Sequence, residues 1–179
     1  MKKFILISLL LTSLYSDAKI YLGAGYSGYV ENLNDSDLTN TSSAYKIKAG
    51  YGIRNSFAVE FSVDYIDNTI STDAPWSAKY GFNIELIKAF DFGIYVNPFI
   101  KAGFGAGIID NRANDFMSKS YGSFNTGLGM YIPLSTSYDI EVSYSYNNLS
   151  YEKNEADKLQ SYNQTSHVNS LYIGINTRF

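Results

Sequence analysis

Between Phe57 and Ile66 the chain alternates with a period of two. Phe57, Val59, Phe61, Val63 and Tyr65 fall on one side, and Ala58, Glu60, Ser62 and Asp64 on the other. The same pattern runs from Tyr138 to Tyr146, where Tyr138, Ile140, Val142, Tyr144 and Tyr146 alternate with Asp139, Glu141, Ser143 and Ser145. It also runs through Ala44–Gly52 and Ala78–Ile87, which place Lys46, Lys48, Lys79 and Glu85 opposite tyrosine, phenylalanine, isoleucine and leucine. Three more segments read as strands: Lys19–Val30, Ile94–Ile108 and Tyr121–Ile132. Pro98 cannot donate to a ladder, so it is expected near the start of its strand or at a bulge. The last segment starts near His167. Its apolar side carries Leu171, Ile173, Ile175 and Phe179, with Ser170, Tyr172, Gly174, Asn176 and Arg178 between.

These are eight strands of roughly nine to twelve residues, the length that tilted strands need to cross a bilayer and about twice that of a common soluble strand. The connections alternate too. Short links near IRNS, KAFDF and PLSTS separate strands two from three, four from five and six from seven. The other four connections are long and polar: ENLNDSDLTNTSS, DNTISTDAPWS, DNRANDFMSKS and NNLSYEKNEADKLQSYNQ. Short periplasmic turns and long outer loops are the habit of outer-membrane barrels, and an N-terminus left in the periplasm makes the first connection an outer, long one. The fold class expected is all-β: an eight-stranded, antiparallel, up-and-down transmembrane β-barrel.

Composition agrees. The chain has 17 Tyr, 14 Gly and three Pro, with only 17% charged residues. Aromatics suit a pleated surface, and glycine marks narrow places. The first residues, MKKFILISLLLTSLYSDA, join a basic start to an apolar stretch from Phe4 to Leu14, with Ser16 and Ala18 spaced for cleavage. They read as a secretory signal peptide, residues 1–18, ahead of a barrel over residues 19–179. Losing Lys2, Lys3 and Asp17 takes the net charge from −3 to −4, which gives no reason to expect a nucleic-acid partner. With no Cys, neither a disulfide nor a lipidated cysteine is expected.

Alternation alone does not say which face meets lipid, since a secreted lipocalin-like barrel would bury its apolar face. Three features favour the inverted arrangement. The polar face is rich in Gly and Ser, as the narrow lumen of an eight-stranded barrel requires. Aromatics crowd the strand ends of the apolar face at Tyr51, Phe57, Tyr65, Tyr80, Tyr138, Tyr146 and Phe179, as two interfacial girdles would. And no free sheet edge can sit in hydrocarbon, so the last strand pairs with the first. The inward charges are then Lys46, Lys48, Glu60, Asp64, Lys79, Glu85, Lys101, Asp139, Glu141 and Arg178. Buried charges need partners, so an ion-pair network closing the lumen is expected. Opposing Tyr51 to Phe57 sets Lys48 opposite Glu60, and pairing strands three and four so that opposed positions sum to about 143 sets Asp64 beside Lys79.

The chain resembles the small eight-stranded outer-membrane barrels, the group of the OmpA transmembrane domain and OmpX (outer membrane protein beta-barrel domain). NPFIKAGFGAG resembles that family's fifth-strand segment and AGYGIRNSFAVEFSVDY its second hairpin. The ending Leu171, Ile173, Ile175, Phe179 resembles the signal read by the barrel-assembly machinery, although Thr177 stands where an aromatic residue is common. Nothing follows strand eight, so no peptidoglycan-binding domain is expected. The resemblance implies location in the outer membrane of a Gram-negative bacterium, with lipid and lipopolysaccharide as surroundings and host or surface ligands as partners of the outer loops.

Catalytic chemistry finds little footing. HVNS, residues 167–170, resembles the H-x-S-N run of barrel lipid A deacylases, but Asn169 stands in place of the serine and Ser170 points to the other face. A single His and no Cys make a transition-metal site improbable, and NDSD (Asn34–Asp37) lacks the spacing of a calcium loop. No cofactor and no catalytic or metal-binding residue is expected. Glu152–Lys158 reads as a mobile loop tip and Trp76 as an interfacial anchor. The expected role is structural or adhesive, through loops one and four. A narrow pore is the first alternative, a lipid A-modifying enzyme the second, and a soluble carrier the third.

Overall fold

Each alternating segment is a strand, because two-residue alternation gives a sheet one face for lipid and one for the interior. The structure, a computed structural model, describes residues 18–33, 39–67, 78–110, 119–152 and 165–179. In chain order the strands are β1 (Lys19–Leu33), β2 (Thr39–Gly52), β3 (Phe57–Asp67), β4 (Ala78–Ala89), β5 (Asn97–Asp110), β6 (Lys119–Pro133), β7 (Tyr138–Tyr151) and β8 (Thr165–Arg178). They form a closed antiparallel barrel in sequence order, with β8 returning to β1. Residues 1–17 of the signal peptide, Trp76, the loop motif NDSD and residues 153–158 of EKNEADK lie outside the described residues.

Several strand limits differ from expectation. β1, β2 and β7 run further outward than their alternation implied, through residues such as Glu31, Thr39 and Asn147 that read as loop. Sheet hydrogen bonds continue there although the side chains are mostly polar and the clean alternation has stopped, so hydropathy gave little sign of them. β5 starts at Asn97 rather than Ile94, which lengthens the β4–β5 turn to residues 90–96. Pro98 is the second residue of β5, and its carbonyl accepts the Phe90 N–H at 2.8 Å.

Opposed partners, followed once round the wall, show the stagger. From Ile108 the path runs through Tyr80, Tyr65, Tyr45, Tyr26, Ile173, Val142 and Met130 and returns to β5 at Pro98, a shift of 10 residues. That stagger goes with strands tilted by roughly 35–45° and a bore that side chains can fill.

The wall is inverted relative to a soluble barrel. Phe61 is 58% exposed and Ile47 70%, whereas Glu60 and Glu141 are each 1% exposed. Outward aromatics pair across strands at Tyr26–Tyr45, Tyr65–Tyr80 and Phe104–Phe124, with ring centroids 5.3–5.6 Å apart. Tyr51, Tyr138 and Phe179 are exposed at the other end. Phe179 is tied down by its N–H to the Ile20 carbonyl at 2.9 Å.

The narrow bore explains the inward glycines. The hydroxyl end of the Tyr21 ring crowds Gly50, where a Cβ would stand 2.2 Å from a ring carbon. From that position Tyr21 donates its hydroxyl to Glu60 at 2.8 Å. Gly50→Leu is expected to push the ring away and break that bond, at a cost of about 1–3 kcal/mol from overpacking. A lower denaturant midpoint for the variant in detergent checks this.

Candidate functional site: the lumen and its two mouths

The interior is layered. At the end carrying the short turns, Tyr21, Ala58, Ile87, Ala89, Phe99 and Tyr131 form an apolar plug. At the opposite, outer end, Tyr29, Ala44, Ile66, Ile109, Tyr121, Leu149 and Val168 form a second. Neither plug was legible beforehand. Their members share the inward phase with Gly, Ser and charge, and that phase was read as a polar face throughout.

Charges lie between and beside the plugs. All ten lumen charges anticipated from the sequence have ionic partners inside the barrel. Lys48 sits between two carboxylates, with Nζ 3.0 Å from Glu60 Oε2 and a direct contact to Glu141. Lys101 reaches Glu85 at 3.1 Å and Lys46 reaches Asp64 at 3.5 Å. Lys79 pairs with Glu31, whose carboxylate also accepts from Tyr151 and from Ser166 at 2.7 Å. Arg178 pairs with Asp139, which Arg54 Nε also approaches at 2.7 Å. Among the described residues this makes six cations and six anions, so the interior balances once Glu31 and Arg54 are included. Both had been passed over, Glu31 because it lay in an assumed loop and Arg54 because it lies in a turn.

Two expected pairings are corrected. Lys48 stands opposite Ser62 rather than Glu60, and meets Glu60 diagonally. The β2–β3 turn closes on the Ile53 N–H to Phe57 carbonyl bond, 2.8 Å, leaving only residues 54–56 in the bend. Every opposed pair therefore shifts by two residues, which preserves the faces but changes the partners. Asp64 likewise stands opposite Gly81, not beside Lys79, and takes Lys46 as its partner. Lys79 instead reaches across the bore to Glu31 on β1.

Between the charged layer and the outer plug lies a cavity of about 30 Å³, lined by Ser27, Asn83, Asn125, Ser145 and Ser170 among others. That is room for only one or two waters. Among the described residues, buried apolar side chains thus cross the bore above and below the charged layer.

The short-turn mouth opens as a bowl of about 560 Å³ lined by Lys19, Arg54, Asn55, Asp91, Tyr95 and Arg178 with their neighbours. Arg54 reaches from the β2–β3 turn to the β6–β7 turn, where its Nη2 donates to the Ser135 and Thr136 carbonyls at 2.9 and 3.0 Å. Asp91 accepts from the Gly93 N–H at 2.9 Å and from Asn55 at 2.8 Å. These bonds hold its carboxyl below the usual range, the Gly93 N–H contributing most.

On the outer wall His167 stacks on Tyr146, with centroids 5.5 Å apart, and its Nδ1 lies 2.7 Å from the Tyr146 hydroxyl. Asn169 accepts the Tyr144 hydroxyl. Ser170 lines the interior cavity, on the other side of the wall from His167.

A closed antiparallel barrel with a greasy outer wall and a charge-balanced bore is an integral membrane β-barrel: the strands pair round a ring with no free edge, and apolar side chains face lipid. A sequence profile of the outer membrane protein beta-barrel domain matches residues 4–179, and the chain belongs to that family, whose place is the bacterial outer membrane. Solved structures agree in fold. Neisserial surface protein A is similar at a TM-score of 0.71 with 16% identity, covering 92% of this chain and 100% of that one. Ail, the attachment invasion locus protein of Yersinia pestis, is similar at 0.58 with 16% identity, covering 91% and 99%. The outer membrane protein OprG from Pseudomonas aeruginosa follows at 0.52 with 13% identity, covering 91% and 96%. No curated protein matches the chain in sequence.

Proposed function

We propose that the protein is a non-conducting, non-enzymatic barrel of a Gram-negative outer membrane. Its work is structural, or lies in surface contacts made by its outer connections, above all residues 34–38 and 153–164. The observation that carries this reading is the lumen filled by two apolar clusters and a balanced set of charges, which favours a role at the surface over one in passage. The reading takes the N-terminal segment as a cleaved export signal. It takes Leu171, Ile173, Ile175 and Phe179 as the strand the assembly machinery recognises. One solved relative in fold is named for attachment and invasion, which is the kind of contact envisaged here. The separation of His167 from Ser170 by the wall favours a non-enzymatic role, since a nucleophile must lie within hydrogen-bond reach of its base.

In planar bilayers the purified protein is expected to give no single-channel steps. Resolved steps would overturn the sealed-lumen reading and put a narrow pore in its place. Replacing residues 34–38 and 153–164 by Gly-Ser linkers should lower binding of expressing cells to host or abiotic surfaces while the barrel keeps its heat-dependent gel shift. Unchanged binding would count against the loop-borne role.

A further inference from the structure

The bowl at the short-turn mouth has a composition that plugging the bore does not require. Two guanidinium groups, Arg54 and Arg178, converge on one carboxylate, Asp139, which is fully buried beneath them. Lys19, on the rim, has no ion-pair partner among the described residues. The only other charge in the lining is Asp91, on the far side and already engaged by Gly93 and Asn55. The floor therefore carries an excess of positive charge.

Donors are also in excess. A guanidinium has five N–H groups. The hydrogen bonds of Arg54 engage Nη2 alone, its Nε facing Asp139 at ion-pair distance without a hydrogen bond, and those of Arg178 engage Nε alone. Arg178 is 3% exposed, lines the bowl, and its Nη1 is a buried donor with no acceptor. An unsatisfied buried donor on a cation is costly, and each such group calls for an explanation. Arg178 cannot turn away to find water. Its guanidinium is held over the Tyr21 ring at 4.6 Å and the Tyr131 ring at 5.2 Å. Arg54 is the accessible member, with its side chain 22% exposed.

We propose that this bowl is a binding site for a phosphate-type oxyanion, held by the Arg54 and Arg178 guanidiniums with Lys19 at the rim. Two planar forks and an ammonium match the oxygens of a tetrahedral anion, and charge-assisted bonds of this kind are the strong ones. Tyr95, Ile94 and Ile53 border the same bowl, so the ligand can carry an apolar portion. The anion can be free phosphate or the headgroup of an inner-leaflet phospholipid, which lies at the level of this mouth. The site goes beyond the structural role proposed above and does not depend on it.

The test uses the full mature chain refolded in detergent, with the Arg54 and Arg178 side chains followed by nitrogen NMR. Titrating inorganic phosphate at constant ionic strength should move both guanidinium signals along one saturable curve. Arg54→Gln should weaken binding about tenfold, and Lys88→Gln, outside the bowl, should leave it unchanged. A thermal-shift titration of the same two variants guards against misfolding, since each must first show the wild-type gel shift. Nanodiscs of phosphatidylglycerol compared with phosphatidylcholine separate the sources. A shift specific to phosphatidylglycerol before phosphate is added points to a headgroup, and one seen only on adding phosphate points to a free anion. Signals that follow ionic strength alone, or equal affinity in Arg54→Gln, would overturn the proposal.

Discussion

Lys48→Met is expected to lower the stability of the folded barrel by about 3–5 kcal/mol, the loss typical of breaking a buried ion pair from one side. Lys48 is 2% exposed and bridges Glu60 and Glu141, each 1% exposed. Without the ammonium, two carboxylates remain in a bore too narrow for bulk water. Lys48→Met combined with Glu60→Gln should lose markedly less. That pair of changes keeps the interior balanced, and Glu141 retains Asn176 at 3.2 Å and Ser143 at 3.2 Å as donors. Urea unfolding in detergent micelles, followed by the fraction that keeps its unheated gel mobility, measures both. Losses that simply add would show that Lys48 and Glu60 act independently and that the bore is wetter than its geometry indicates.

Phe61→Arg is expected to cost about 2–4 kcal/mol when the barrel folds into a bilayer, because the side chain lies mid-strand on the lipid face. Thr41→Arg, exposed near the outer start of β2, should cost no more than about 1 kcal/mol, since the penalty falls away toward the interface. Folding of the two variants into vesicles, at matched lipid ratio, gives the comparison. Equal costs would mean that the wall is not graded by depth and would contradict the placement of the belt. An aqueous carrier of the same shape would tolerate both changes on its outer surface.

These two experiments probe the two faces that alternation separated. Val59, Phe61, Ile140 and Val142 were assigned outward and Glu60 and Glu141 inward from spacing and from the Gly and Ser content of the second face, and they lie so. The number of strands and their order were legible for the same reason: each crossing is a long run of strict alternation, and each turn interrupts it. Strand ends were less legible. At Glu31, Thr39 and Asn147 the wall continues past the hydrophobic belt, so backbone pairing persists after the hydropathy signal stops.

The charged residues of the bore were legible as a set but not as pairs. Register shifts by two residues leave every face intact, so no pattern along one strand distinguishes Lys48 opposite Glu60 from Lys48 opposite Ser62. The turn hydrogen bond at Ile53 and Phe57 decides it. Lys79 with Glu31, and Arg54 with Asp139, join residues far apart in the chain that meet only when the sheet closes. The aromatic plugs were hidden for a related reason. Tyr21, Phe99 and Tyr131 occupy the polar phase of their strands, and only the small radius of the closed bore brings three such side chains together as a buried cluster.

The amino-acid order alone thus determined that eight amphipathic strands face lipid on one side, because a period of two is a property of each strand by itself. Closure of the sheet decided which charges neutralise one another, where apolar side chains cluster in the bore, and which arginines meet at the short-turn mouth. Those outcomes depend on stagger and radius, which belong to the whole barrel and to no single segment of the chain.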